Sequence, residues 1–262
     1  MNIWNRLKQI ALFLPLLSMT PLLGQTAPDA KLPDWSGVWR TKGSPALLSV
    51  ENGRMFVRGT RDNPPYNAEW EKKYTENVVR AEHQGDANYA NPLVDPHTQY
   101  CAAGMPRLIA TPFDYEFIVT PAKTWILVDK ESRHVYTDGR KFPLEDELWP
   151  TMRGFSIGHW EGQTLVVETI SVKPGQWGDT TPLVFSEQAK YVERYSQIDP
   201  NTIENQVTVI DAVSLTKPWT FARRYTRLKA GIWVAEPETC GGPEDRNPIV
   251  NGRVTVVLPN GK

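Results

Sequence analysis

The sequence contains little of what builds metal and cofactor sites. It has 2 cysteines and 4 histidines among 262 residues, and the histidines are far apart, without the paired spacing typical of zinc ligands. It also lacks a Gly-x-Ser-x-Gly segment, a phosphate-binding loop and a dinucleotide-binding glycine pattern. We therefore expect no metal and no cofactor. A spatial cluster of His97, His134 and His159 with a carboxylate is the alternative that the spacing leaves open.

Neither sign of charge dominates the sequence. The 29 lysines and arginines almost balance the 30 acidic residues, and no basic run is concentrated enough to follow a phosphate backbone. A nucleic acid is therefore not an expected partner. The chain is instead rich in aromatic residues, proline and glycine, a composition that favours many short strands and ordered loops over a helical bundle.

The apolar run near the start of the chain is too short to span a bilayer. It covers residues 10–17 and follows Arg6 and Lys8, a combination typical of a secretory signal peptide. We predict that residues 1–24 are this signal peptide and that the mature protein has no membrane anchor. The protein is then expected in the periplasm or outside the cell.

Export affects the interpretation of the two cysteines, Cys101 and Cys240. An oxidising compartment allows two thiols to persist as a disulfide, whereas a metal site would need more ligands. We predict the disulfide, with two unpaired cysteines as the alternative.

Short alternating strands are the dominant pattern of the sequence. The clearest example is a hairpin at residues 155–170, where two β-rich arms flank a turn at Glu161 and Gly162. A shorter hairpin is predicted at residues 46–58. Further strands are predicted at residues 114–120, 123–131, 133–137, 190–198, 202–211, 219–227 and 253–258.

One segment has a helical period instead. Between residues 67 and 84, Trp70, Tyr74 and Val78 recur at four-residue intervals among charged residues, which predicts one amphipathic helix packed against a sheet. Nine or ten strands without alternating helices predict an all-β fold, an antiparallel up-and-down barrel. We expect a single domain at residues 34–262, preceded by a flexible polar arm at residues 25–33.

Two sets of residues resemble known proteins. Gly37-Val38-Trp39, on the first predicted strand, resembles the Gly-x-Trp signature of lipocalins and related calycin barrels. Residues 136–140 (Tyr-Thr-Asp-Gly-Arg), residues 156–167 (Ser-Ile-Gly-His-Trp-Glu-Gly-Gln-Thr-Leu-Val-Val) and Pro218-Trp219-Thr220 resemble a family of poorly characterised exported bacterial proteins. These resemblances imply export and a calycin-like (lipocalin-like) β-barrel, and they imply no particular reaction.

The predicted strand at residues 190–198 has the pattern of a strand that lines a barrel. Tyr191, Glu193 and Tyr195 share one face, so that a carboxylate lies between two aromatic rings. Arg107 and Arg223 are the expected partners of this carboxylate. Glu193 could orient a ligand or transfer protons, and a purely structural ion pair is an equal alternative.

A second strand places His134, Tyr136 and Asp138 on one face. Inside a barrel these groups could exchange protons, whereas outside they would simply be solvated, and the polarity of the strand favours the outside. Glu168 is a further candidate, because it interrupts an otherwise apolar strand.

The late strand at residues 219–227 carries an aromatic face with interspersed arginines. Such a face could hold an aromatic or isoprenoid molecule with an anionic end, and ordinary barrel packing is the alternative. The candidate ligand-binding residues are Arg107, Trp160, Tyr191, Tyr195, Trp219, Phe221 and Arg223.

The leading functional prediction is an exported barrel that binds a small, apolar and aromatic or isoprenoid molecule. A first alternative is a metal-free lyase or isomerase, with Glu193 or Glu168 as base, His134 or Tyr136 as acid, and an arginine that stabilises developing negative charge. A second alternative is a structural envelope protein, which would need an extended exposed patch rather than a cavity.

Overall fold

A computed structural model of the protein describes residues 31–41, 49–51, 54–56, 64–82, 104–105, 107–110, 114–128, 131–174, 183–234, 249–250 and 253–254. Cys101, Cys240 and the predicted signal peptide lie outside these residues, as does most of the predicted arm. At the end of the arm, Leu32 packs against the hydrophobic core.

Strands make up most of the described chain. In chain order they are β1 (Val38–Thr41), β2 (Ser49–Glu51), β3 (Arg54–Phe56), β4 (Asp114–Val119), β5 (Lys123–Val128), β6 (Glu131–Tyr136), β7 (Phe155–Glu161), β8 (Thr164–Ile170), β9 (Lys190–Asp199), β10 (Thr202–Ile210), β11 (Trp219–Arg227), β12 (Ile249–Val250) and β13 (Arg253–Val254). The helices are α1 (Ala68–Glu82), α2 (Arg107–Ala110) and a short 3₁₀-helix at Glu145–Glu147.

Nine of these strands form a closed barrel in the order β1-β11-β10-β9-β8-β7-β6-β5-β4, with β1 also paired to β4. The predicted all-β barrel with one amphipathic helix is therefore confirmed. The short hairpin of β2 and β3 and the pair of β12 and β13 are separate two-stranded sheets. Residues 253–254 therefore do not join the barrel, and the rest of the strand predicted at residues 253–258 lies outside the described residues. Strand β6 begins at Glu131, two residues before its predicted start.

The number of strands imposes one exception to the antiparallel order. Neighbours in a closed ring can alternate in direction throughout only if their number is even, so a ring of nine must contain a parallel pair. That pair is β6 and β7, and their register has a single matched position, Tyr136 with Ile157. Parallel neighbours need a crossover connection, and residues 137–154 provide it. We call the junction of β6 and β7 the seam.

Two buried tryptophans, Trp35 and Trp39, lie where β1 begins. Gly37 has a φ of 93°, a conformation that glycine adopts freely, and it leads into Trp39 on β1. The Trp39 indole donates to the carbonyl oxygen of Trp35 over 2.9 Å. The Arg227 guanidinium lies 4.1 Å from the centre of the Trp39 ring and donates to the Ser36 carbonyl. The closed ring of nine strands with one packed amphipathic helix is consistent with a calycin-like barrel.

Helix α1 packs beside the end of the barrel where β11 begins. The Asn67 side chain caps the helix by accepting from the Trp70 amide at 3.1 Å. Tyr74, on the apolar side of α1, is buried against Tyr66, which contacts Phe185 and thereby the core. Within the described chain, neither helix is both long and apolar enough to cross a membrane.

The two glycines that flank β7, Gly154 and Gly162, allow a comparison of a crowded and an open position with similar backbone conformation. Gly154 has a φ of 66° and Gly162 a φ of 61°, but a Cβ at Gly154 would overlap the Ile170 carbonyl oxygen, whereas a Cβ at Gly162 would meet nothing within 4 Å. Gly162→Ala should lower the free energy of unfolding by about 1 kcal/mol, the cost of a left-handed conformation. Gly154→Ala should cost a further ~2 kcal/mol or more, because the overlap forces the backbone to shift. Urea unfolding measures both, and equal losses would contradict the crowded position of Gly154.

Candidate functional site

The interior of the barrel contains a buried cluster of polar side chains. Strand alternation directs these residues inward, and each is at most 5% exposed. The cluster consists of Arg133 on β6, Ser156 on β7, Thr169 on β8, Glu193 and Tyr195 on β9, and Asn205 on β10. We call it the interior network.

An ion pair between Arg133 and Glu193 forms the centre of the interior network. Arg133 Nη1 donates to Glu193 Oε1 over 3.0 Å, and Arg133 Nη2 donates to Glu193 Oε2, so the contact is bidentate. Oε1 also accepts from Tyr195 Oη at 2.7 Å and from Asn205 Nδ2 at 3.1 Å. Burial alone would lower the pKa of Arg133, but the Glu193 carboxylate outweighs burial and raises that pKa above its ordinary value. Arg133 therefore remains charged.

The same guanidinium also binds two hydroxyl groups on the other side of the seam. Arg133 Nε donates to Ser156 Oγ over 3.2 Å and Nη2 to Thr169 Oγ1 over 2.7 Å. The two hydroxyls are 2.9 Å apart and share a hydrogen bond. One arginine on β6 thus connects β7, β8 and β9, which crosses the junction where backbone pairing is sparse.

A second buried guanidinium, that of Arg223 on β11, is in a different situation. Arg223 is 6% exposed, and its Nε and Nη2 find no hydrogen-bond acceptor within the described structure. Its guanidinium lies 5.5 Å from the centre of the Phe221 ring. Burial lowers the pKa of Arg223, an effect only partly offset by Tyr225 and Tyr115. Asn205, its register partner on β10, likewise has a buried Oδ1 without a partner in this part of the chain.

Most of the residues predicted to contact a ligand do point into the barrel. Tyr191, Glu193, Tyr195, Trp160, Trp219 and Arg223 are buried, and Phe221 is partly buried against the core. Trp160 lies 5.4 Å from Trp35, and Trp219 lies 4.5 Å from Phe221, measured between ring centres. Arg107 begins α2, and its side chain is outside the described part of the structure.

The other predicted catalytic groups lie on the outside of the barrel. His134, Tyr136 and Asp138 share a surface, as predicted, but they face away from the interior because Arg133 and Val135 occupy the inward positions of β6. Asp138 pairs with Arg140 at 2.6 Å.

Glu168 is also on the outer face, where it pairs with Lys190 at 2.6 Å. The favoured outer position of His134, Tyr136 and Asp138 therefore agrees with the structure, whereas the alternative in which Glu193 or Glu168 acts with His134 or Tyr136 in the barrel interior does not.

Sequence reasoning also missed the partner of Glu193. The expected partners were Arg107 and Arg223, whereas the structure pairs Glu193 with Arg133, 60 residues earlier in the chain. A signal was available, since alternation already put Arg133 opposite the polar face of His134 and Tyr136. If that polar face is outside, then Arg133 must be inside and must need a carboxylate.

Comparison of the sequence with protein-family models and with curated proteins finds no match. The resemblance to exported bacterial proteins thus stays a prediction. Among the described residues, no three His, Cys, Asp or Glu side chains lie close enough together to hold a metal ion.

Removal of one partner of the buried ion pair should be costly. Arg133→Met leaves the Glu193 carboxylate buried without its countercharge, so the free energy of unfolding should fall by about 4 kcal/mol. Exchanging both partners for apolar residues, Arg133→Met with Glu193→Leu, should recover most of this loss, because no charge is then left buried. Chemical unfolding of the two variants measures the difference. A double variant as unstable as the single one would show that the charge of Glu193 is not the cause.

Proposed function

We propose that this protein binds a small, mainly apolar molecule with a negatively charged group inside the barrel, and that Arg223 binds this charged group. The supporting observation is the buried Arg223 guanidinium, in which two nitrogen atoms, Nε and Nη2, have no acceptor in the described structure. The apolar part of the ligand would be aromatic or isoprenoid. The predicted signal peptide at residues 1–24 supports binding in the periplasm or outside the cell.

The buried position of Arg223 is energetically costly for a charged side chain. A charged group removed from water is strongly destabilising unless an opposite charge and hydrogen bonds replace the water. Arg133 meets this requirement through Glu193, whereas Nε and Nη2 of Arg223 have no acceptor among the residues that the structure describes. A carboxylate, sulfonate or phosphate on a ligand would supply the missing acceptors, because a guanidinium binds such groups through two parallel hydrogen bonds.

The surroundings of Arg223 suit the rest of such a ligand. Phe221 and Tyr225 flank Arg223 on the inner face of β11, and Tyr115 lies 4.8 Å from Tyr225 between ring centres. Aromatic walls with few polar groups are the usual lining of small-molecule sites. The buried Oδ1 of Asn205 could accept a hydrogen bond from a hydroxyl or amine on the ligand.

Binding is better supported than acid–base catalysis. The Glu193 carboxylate already accepts hydrogen bonds from Arg133, Tyr195 and Asn205, so taking up a proton would disrupt the interior network. The groups considered as its acid partners, His134 and Tyr136, lie on the outer surface.

Fluorescence titration with 1-anilinonaphthalene-8-sulfonate tests the proposal. Arg223→Met should weaken binding of this anionic probe by about tenfold or more, because the sulfonate loses its charged partner. The neutral probe N-phenyl-1-naphthylamine has the same ring systems without the sulfonate. Its affinity for the protein should change by less than about threefold in Arg223→Met.

Arg224→Met is the matched control for this titration. Arg224 is the next residue on β11, but it faces outward and pairs with Glu204 at 2.7 Å. The Arg224→Met variant should bind both probes with the same affinity as the parent protein. Equal affinity of Arg223→Met and Arg224→Met for the anionic probe would exclude Arg223 as the binding group.

Arg223→Met should weaken binding of the anionic probe but stabilise the folded protein. Without ligand, Arg223→Met removes a buried charge that lacks a counterion, so the free energy of unfolding should rise by about 1 kcal/mol. Arg224→Met should change it by less than ~0.5 kcal/mol, as is usual for exposed positions. Urea unfolding without ligand measures both values. A loss of stability in Arg223→Met would mean that the folded chain itself provides a partner for this guanidinium.

A further inference from the structure

A cleft of about 840 Å³ opens on the outside of the barrel at the seam. Its walls come from β6, from the start of β7 and from the crossover that joins them, and its lining includes Arg133 and Ser156 of the interior network. Its volume is within the range of about 300–1,000 Å³ that small-molecule sites occupy. We call it the seam cleft.

We propose that the seam cleft is a second binding site, distinct from the proposed site at Arg223, for a flat aromatic molecule that carries one anionic group. This proposal does not depend on Arg223. The supporting observations are three: the topology that opens the cleft, the aromatic walls, and Lys141, a lining cation without a carboxylate partner among the described residues.

The cleft is a consequence of the parallel pairing of β6 and β7. Antiparallel neighbours elsewhere in the barrel pair along most of their length, but β6 and β7 are matched at a single position. At the start of β6, a side chain makes the connection instead. Arg153, which lies just before β7, donates to the Ser132 carbonyl over 3.0 Å and pairs with Glu131. A bridge of one side chain leaves space that a backbone ladder would fill.

Aromatic and other apolar side chains form the walls of the cleft. Phe142, Met152, Phe155 and Tyr136 are among the lining residues. The Phe155 ring is held in place by Trp149, whose ring lies edge-on at 5.4 Å between ring centres. Flat aromatic molecules pack well against such rings in offset or edge-on geometry.

The charged groups at the cleft favour an anion. The lining has four cationic side chains, Arg133, Arg140, Lys141 and Arg153, and one carboxylate, Glu147. Arg133 and Arg153 are already paired with buried carboxylates. Lys141, by contrast, makes no ion pair with the residues that the structure describes.

Arg140 is a further cation at the cleft, but its charge is already paired with Asp138 at 2.6 Å. Its guanidinium stacks 3.8 Å from the centre of the Tyr136 ring. An anionic group beside Lys141 would therefore meet a cation that has no carboxylate partner among the described residues, next to an aromatic surface.

The test uses 2-naphthoate and its neutral, nearly isosteric analogue 2-naphthamide as probes. Calorimetric titrations are made on the parent protein and on Arg223→Met, so that a site in the barrel interior is distinguished from the seam cleft. We expect 2-naphthoate to bind one site in Arg223→Met with the same affinity as that site has in the parent. At this site 2-naphthoate should bind more tightly than 2-naphthamide. Loss of all 2-naphthoate binding in Arg223→Met would assign the probe to the interior and overturn the proposal.

Two variants assign the probe to the cleft. Lys141→Glu should weaken 2-naphthoate binding by about tenfold or more, whereas Lys217→Glu, the same charge reversal at an exposed position away from the cleft, should leave it unchanged. Phe142→Ser should weaken both probes, because it removes part of the aromatic wall. Equal affinities in Lys141→Glu and Lys217→Glu would overturn the proposal.

A fluorescence readout locates the probe independently. Trp149 is 62% exposed and contacts Phe155, so a ligand in the cleft should alter its emission. The part of the tryptophan signal that responds to 2-naphthoate should disappear in Trp149→Phe while the calorimetric affinity is kept. An unchanged response in Trp149→Phe would place the probe elsewhere.

Discussion

A ring of nine strands must contain one pair of neighbours that run in the same direction, and much of this structure is a consequence of that pair. The seam between β6 and β7 has little backbone pairing to hold it. Side chains replace the missing ladder: Arg133 reaches Ser156, Thr169 and Glu193 on the three following strands. Arg153, which lies just before β7, adds a second ion pair at the seam by pairing with the buried Glu131 of β6. The polar interior of the barrel is thus a structural requirement of its topology, before any ligand is considered.

The two buried arginines of the interior differ in what the chain supplies to them. Arg133 lies at the seam and binds a carboxylate and two hydroxyl groups. These contacts explain it as a residue that stabilises the fold. Arg223 has aromatic neighbours and no carboxylate among the described residues. A fold that satisfies one buried charge so completely and leaves the other without an acceptor separates a structural role from a binding role. This contrast, rather than the barrel itself, supports the proposed function, because a barrel fold accommodates many functions.

Strand alternation predicted much of this from the sequence, and the limits of that prediction have physical causes. A period of two fixes which residues share a face, so the grouping of Tyr191, Glu193 and Tyr195, and that of His134, Tyr136 and Asp138, followed directly. Alternation does not say which face is inside when both faces carry polar groups, and so His134 and Tyr136 remained candidates for the interior. The pairing of Glu193 with Arg133 depends on the stagger of strands around the barrel, and the parallel seam depends on the strand count. Neither is a local property of the chain.

Amide hydrogen exchange, followed residue by residue along β6, tests most directly whether side chains hold the seam. Amides exchange slowly where they form stable backbone hydrogen bonds. If the account is correct, protection alternates along β6, with slow exchange where the amides pair with β5 and fast exchange where they face β7, while β9 and β10 are protected on both sides. Continuous protection along β6, equal to that of β9, would show a complete backbone ladder at the seam and would contradict the account.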